Sequence, residues 1–185
     1  MNARNIKEEI QHKIETLDKT RTNRIIASQR LYAYSNKWDI VFFIMNVVAV
    51  IMLIFSLTGL EENKHKMVIS SIFSLYTIIT QYAYNNLNYR ERALKFHYIE
   101  LEIEAQILAL KSLARNTSNH CEEFLENMFD SVMKQYICTL KGYENHDDVD
   151  NKKRLLQKSS PSLDFYFFII TLIALLIFIS LYIFL

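Results

Sequence analysis

The sequence predicts an all-α membrane protein: three transmembrane helices, with long cytoplasmic helical extensions from the first two spans. Three observations predict it. Residues 40–60, 67–87 and 165–185 contain no Asp, Glu, Lys or Arg, and each block is 21 residues long. At ~1.5 Å per residue, a helix of that length crosses a hydrocarbon core of roughly 30 Å. Only two Gly and one Pro occur in 185 residues, so breakers and turns are scarce. Lys and Arg are also segregated, with eight in residues 1–39, two in 61–66 and eleven in 88–164.

That segregation sets the expected topology. Cytoplasmic segments carry the excess of Lys and Arg, so the N-terminus and residues 88–164 are expected in the cytoplasm. The loop 61–66 is then external, and the C-terminus lies at the outer face. The first block follows 39 mixed residues and has no small-residue cleavage site after it, so it reads as a retained span and not as a signal peptide. The mature chain is expected to start near Met1.

The N-terminal region, residues 1–39, reads as one cytoplasmic helix over 4–35. Ile6, Ile10, Ile14 and Leu17 recur at helical steps, and Arg21, Arg24, Ser28 and Leu31 continue that face. Nothing breaks it before Asp39, so it can enter the first span (40–60) without a joint. The second span (67–87) likewise has no stop signal at its end. Beyond it, the region 88–141 carries two apolar rows: Leu94, Tyr98, Leu101, Ala105 and Leu108, and then Phe96, Ile99, Ile103, Leu110 and Leu113. A helix so widely apolar must pack against another part of the chain or a second subunit. Residues 116–119 are the first break. A capping box at Asn119 and Glu122 opens the next helix, with Cys121, Phe124, Leu125, Met128, Phe129 and Val132 on one face and Gly142 as its stop. Residues 142–164 read as a polar linker or mobile loop, and Pro161 suits the start of the third span, 165–185.

Chemistry is sparse. Two glycines, Gly59 and Gly142, cannot build a phosphate loop. His120, Cys121, Cys138 and His146 match no standard zinc spacing, and the cysteines read as buried structural residues in a reducing compartment. Glu100, Glu102 and Glu104 spread around their helix and read as a solvated or salt-bridged face. The expectation is a non-enzyme without cofactor or metal.

The spans are more informative. Ser70, Ser74, Thr77 and Gln81 share one face of the second span, and Asn46 is the lone strongly polar residue deep in the first. Polar groups in hydrocarbon need partners or water. Helix packing is the stronger reading, and lining of a water-filled pathway is the other. Three helices enclose no conduit alone, so a pore requires a homo-oligomer. At the cytoplasmic edge, Tyr32, Tyr34 and Trp38 read as an interfacial belt, beside the topology-setting Arg24, Arg30 and Lys37. Membrane lipid is therefore an expected partner. The basic segment lacks a recognisable nucleic-acid module, so direct nucleic-acid binding has no motif behind it.

The order of two motifs resembles the SLATT family of bacterial membrane proteins. The first is Arg24, Ala27, Arg30 and Leu31 in "RIIASQRL", ahead of a span; the second is Tyr89, Arg92, Ala93, Phe96 and Leu101 in "YRERALKFHYIEL", after the next span. The resemblance covers residues 10–115. It implies an effector of a bacterial antiphage or abortive-infection system at the inner (cytoplasmic) membrane, acting by pore formation or membrane disruption when a partner triggers it. The implied partner is an operon-encoded sensor, such as a nucleotide-signalling enzyme or a reverse transcriptase with non-coding RNA. The third span departs from the two-span pattern and is similar to the reverse-transcriptase-associated subset. The competing expectation is a non-conducting scaffold that anchors a cytoplasmic enzyme or ribonucleoprotein, such as a reverse transcriptase complex.

Overall fold

The structure, a computed structural model, describes residues 5–58, 64–116, 121–141, 144–145, 147–157 and 163–184. Among these residues the secondary structure is helical throughout: α1 (Ile6–Leu57), α2 (Lys64–Asn85), α3 (Tyr89–Arg115), α4 (Glu122–Leu140), α5 (Asp148–Arg154) and α6 (Leu163–Phe184). The chain divides into two compact units. The first comprises Met1–Leu31 and Glu91–Ser159, the second Tyr32–Arg90 and Ser160–Leu185.

The first unit has a dry core built by three helices. Ile6, Ile10, Ile14 and Leu17 of α1 meet Ile99, Ile103, Ile107, Leu110 and Leu113 of α3, and Leu125, Phe129 and Val132 of α4 complete the cluster. These are the three- and four-residue spacings that put one stripe of each helix inward. Gln106 extends this packing, donating to Thr139 Oγ1 at 2.9 Å in a buried side-chain pair.

The second unit is built from the C-terminal half of α1, with α2 and α6. Trp38, Phe42, Met45, Ala49 and Met52 of α1 are buried, as are Ser70, Phe73, Thr77 and Thr80 of α2 and Thr171 and Leu175 of α6. Aromatic rings join them: Phe73 and Phe178 lie 5.2 Å apart, and Tyr76 and Phe178 5.6 Å. The Tyr182 hydroxyl donates to the Met52 carbonyl at 3.1 Å. Outside, α1 presents Phe43, Val47, Val50 and Ile54, α2 presents Val68, Leu75, Ile78 and Ile79, and α6 presents Ile170, Ile173, Leu176 and Ile177. Among the described residues two helices, α1 and α6, are long and apolar enough to cross a membrane.

Four local expectations change. The second span does have a stop: Leu87 and Asn88 donate to carbonyls three residues back, and Asn88 takes φ 48° before α3 begins. Asn is a residue that tolerates this left-handed conformation, so the Asn-rich stretch 85–88 is the break. Within the stretch 142–164 expected to be a linker, residues 147–155 form α5 and its caps. Cys121 and Cys138 are exposed, not buried. On α4, Phe124 and Met128 point outward, since the inward stripe is the narrower set Leu125, Phe129 and Val132. The helix opens at Glu122 with Cys121 as its N-cap. Asn119, Gly142, Pro161, His120, His146 and loop residues 61–63 lie outside the described residues.

Candidate functional site

The densest polar chemistry lies in the first unit, where α5 and the residues before it are gripped by arginines. Asp147 is the N-cap of α5, and its backbone N–H donates to Asp150 Oδ2 at 3.1 Å. Asp150 is completely buried. A buried carboxylate is costly unless paired, and Arg30 supplies the pair: Nε donates to Oδ1 at 2.8 Å and Nη2 to Oδ2 at 3.1 Å. Such a two-pronged bond is shorter and more directional than a neutral one. Arg30 also reaches Asp147 Oδ2 at 2.5 Å. Burial opposes the Arg30 charge, but the hydrogen bonds and charges of Asp150 and Asp147 outweigh it and hold the guanidinium above its ordinary range.

Arg24 sits one turn and a half earlier on the same helix and is buried. It donates to the Glu144 carbonyl and, at 3.4 Å, to Asn145 Oδ1, and its guanidinium stacks over the Phe96 ring at 5.1 Å. Burial lowers its pKa, with Tyr136, Glu144 and Asp150 acting the other way. Arg92 on α3 grips the Glu144 carboxylate from its own side, Nε to Oε2 at 2.8 Å and Nη2 to Oε1 at 2.5 Å. Asn23 accepts from Arg154 Nε at 2.9 Å. Between the two helices, Ala27 and Ala93 are fully buried, and their small side chains let Ser28 Oγ donate to the Ala93 carbonyl at 2.9 Å. Arg21 adds long ion pairs to Glu100 and Glu104, each at 3.7 Å, and Glu102 stays exposed.

The structure therefore brings together Arg24, Ala27, Arg30, Arg92, Ala93 and Phe96, with the buried Leu31 close by in sequence. Leu101 is apart, exposed on the outer face of α3. Tyr89 belongs to the second unit, where its hydroxyl donates to Asp164 Oδ1 at 2.5 Å. The sequence reading missed the residues that these arginines hold: Glu144, Asn145, Asp147 and Asp150. The Asp147–Asp150 spacing is a capping signal, but the pairing to Arg30 spans 120 residues and leaves no local trace.

In the second unit, Trp38 is fully buried at the centre of an aromatic cluster, 5.1 Å from Phe42, 5.5 Å from Tyr84, 5.2 Å from Phe167 and 5.3 Å from Phe168. Tyr32 and Tyr34 are half-buried. Along α2, Ser70 and Thr77 are buried, and Ser74 and Gln81 are half-buried. Ser70 Oγ lies 3.2 Å from Ser56 Oγ, while Ser74 and Thr77 donate to the carbonyls of Ser70 and Phe73 at 2.9 Å. Asn46 is exposed, with Nδ2 donating to the Phe42 carbonyl at 2.8 Å.

No group of three or more His, Cys, Asp or Glu able to hold a metal ion occurs among the described residues. Helices throughout the described residues, two of them long and apolar enough to cross a membrane, with outward faces of isoleucine, leucine and valine, define the class of a helical membrane protein. The chain belongs to family 5 of the SMODS and SLOG-associating 2TM effector domain (SLATT), whose family model matches residues 6–185. No curated protein and no solved structure matches it.

Proposed function

We propose that the chain is an oligomeric effector of a bacterial conflict system, seated in the inner membrane with its N-terminus cytoplasmic, its C-terminus at the outer face and α2 as a third span. A partner from the same system, of the SMODS or SLOG kind named in the family description, triggers it to form a pore or disrupt the bilayer. The observation that carries this reading is Asn46. Its amide lies on an outward face of α1 among Phe43, Val47 and Val50, in a stretch without charge. One amide N–H is spent on the Phe42 carbonyl, but a carboxamide has a second N–H and an acceptor oxygen, and in hydrocarbon these find relief against an equivalent polar group or water, which several copies provide. The hydroxyls of Ser70, Ser74 and Thr77 are satisfied within the chain and fit helix packing better than pore lining. Arg24 and Arg30 are engaged inside the first unit, which leaves neither guanidinium for a phosphate backbone and disfavours the ribonucleoprotein scaffold.

The clasp formed by Arg24, Arg30 and Arg92 on residues 144–150 is the fitting control point, because release of α5 would free the family-motif stretch of α1. The test is induced expression together with the neighbouring genes, read as membrane potential and dye entry. Depolarisation that is lost with Asn46→Leu at unchanged protein level is the expected result. An electrically silent membrane with a stable co-purifying enzyme would overturn the effector reading in favour of the scaffold. A flexible Gly-Ser insertion near Ser35 should uncouple trigger from damage, and unchanged activity would remove α1 as the coupling element.

A further inference from the structure

Helix α3 has two apolar rows on opposite faces. Phe96, Ile99, Ile103, Ile107 and Leu110 are buried in the first unit. The other row is left open: Leu94 is 39% exposed, Tyr98 60%, Leu101 47% and Leu108 58%, with Ala105 exposed between them. Its steps of four, three, four and three are the d-a-d-a-d positions of a heptad, the spacing that keeps a seam facing a second helix. A soluble face rarely leaves so continuous an apolar stripe uncovered.

We infer that this stripe is a self-association seam: a second copy of the chain packs α3 against α3 in parallel and in register. The inference gives the multi-copy requirement of the effector reading a location, and it rests on that reading. The flanking charges choose the occupant and its direction. With Leu101 at d, His97 and Glu104 are g positions, and Lys95, Glu102 and Ala109 are e positions. A parallel pair sets His97 against Glu102 of the second copy and Glu104 against the neutral Ala109. An antiparallel pair centred on the same residues sets Glu102 against Glu102, a like-charge arrangement that selects against it, and Glu104 against Glu104, each already held by Arg21 at 3.7 Å. One parallel contact is unfavourable, Arg90 opposite Lys95, but Lys95 is already held by Glu91 at 2.7 Å. Ala105, at the second of the two a positions, lets the backbones approach. Beyond Leu108, the seam opens into a groove of about 330 Å³ lined by Ala109, Ser112, Phe124 and Met128, so apolar surface continues onto α4.

The test uses the full-length chain in membranes, with Cys121→Ser and Cys138→Ser removing the native thiols. Ala105→Cys should then form a disulfide-linked homodimer on mild oxidation, about tenfold more than Asp130→Cys on the outside of α4, since a tenfold ratio corresponds to only about 1.4 kcal/mol of preference. Adding Leu101→Asp should reduce that band about tenfold at unchanged helix content. Three results overturn the seam: linkage no greater than the Asp130→Cys control, linkage only between co-expressed Ala105→Cys and Leu101→Cys chains, or linkage to a different protein alone. Depolarisation that persists without Ala105→Cys linkage sinks the seam and leaves the effector reading standing. Linkage in an electrically silent membrane does the reverse.

Discussion

The two units of the chain solve the same problem, three helices side by side, with opposite chemistry. In the first, isoleucines and leucines of α1, α3 and α4 fill the interior, and the charges drawn inward are each engaged: Arg30 with Asp150, Glu100 with Arg21, and Arg24 with the Glu144 carbonyl and the Phe96 ring. In the second, serine and threonine hydroxyls occupy much of the buried face of α2 while isoleucine, leucine and valine face outward. The first arrangement is driven by removing apolar area from water. That drive is missing where the surroundings are themselves apolar, and small residues, close packing and local hydrogen bonds take over. The difference teaches that the same apolar content has a different meaning in each half.

The contrast can be broken at four points. The largest effect is expected from Asp150→Ala, which strands a buried Arg30. Losing one member of a buried pair costs about 3–5 kcal/mol, seen as a lower melting temperature of the detergent-solubilised chain. Asp150→Leu combined with Arg30→Met should recover much of that loss, because an apolar replacement of the whole pair leaves no charge unpaired. Ile51→Lys on the outward face of α1 should next reduce carbonate-resistant membrane insertion, at a cost of about 2.5–3.5 kcal/mol if it reaches the bilayer centre. Leu108→Lys, also at an exposed apolar position but in the first unit, should leave insertion intact. Arg92→Ala removes a partly exposed pair with Glu144 and should cost only about 0.2–1 kcal/mol, with the melting curve barely moved. Thr77→Val removes a hydroxyl that bonds only its own helix and should cost less than about 0.6 kcal/mol. A larger loss would show that the hydroxyl meets something beyond this chain.

Much of the helical plan was legible because it is local. Absence of charge marks residues 40–60, 67–87 and 165–185, and the run Ile6, Ile10, Ile14, Leu17 marks the buried stripe of α1. The division of labour on α3, one row filled and one open, follows from the same periodicity. What was not legible depends on distant pairing. Nothing near Asp150 says that Arg30 lies against it, so a charged stretch with weak periodicity reads as a linker. Trp38 next to basic residues reads as an interfacial anchor until Phe167 and Phe168 are seen to cover it. Asn88 gives no break in the apolar rhythm that runs from α2 into α3, yet this single left-handed residue is enough to separate the two helices.

Trp38 is the only tryptophan in the chain, and its ring is wholly enclosed, with an indole N–H that has no hydrogen-bond partner among the described residues. The protein therefore carries one indole fluorophore, which can be excited at wavelengths its eleven tyrosines do not absorb, placed in the second unit and held away from water. Its emission should lie at short wavelength in the resting state, and any rearrangement that admits water to the Phe42, Tyr84, Phe167 and Phe168 shell should shift it to the red. On the effector reading proposed above, a trigger that reaches the second unit would be read optically, without a label, from a single residue.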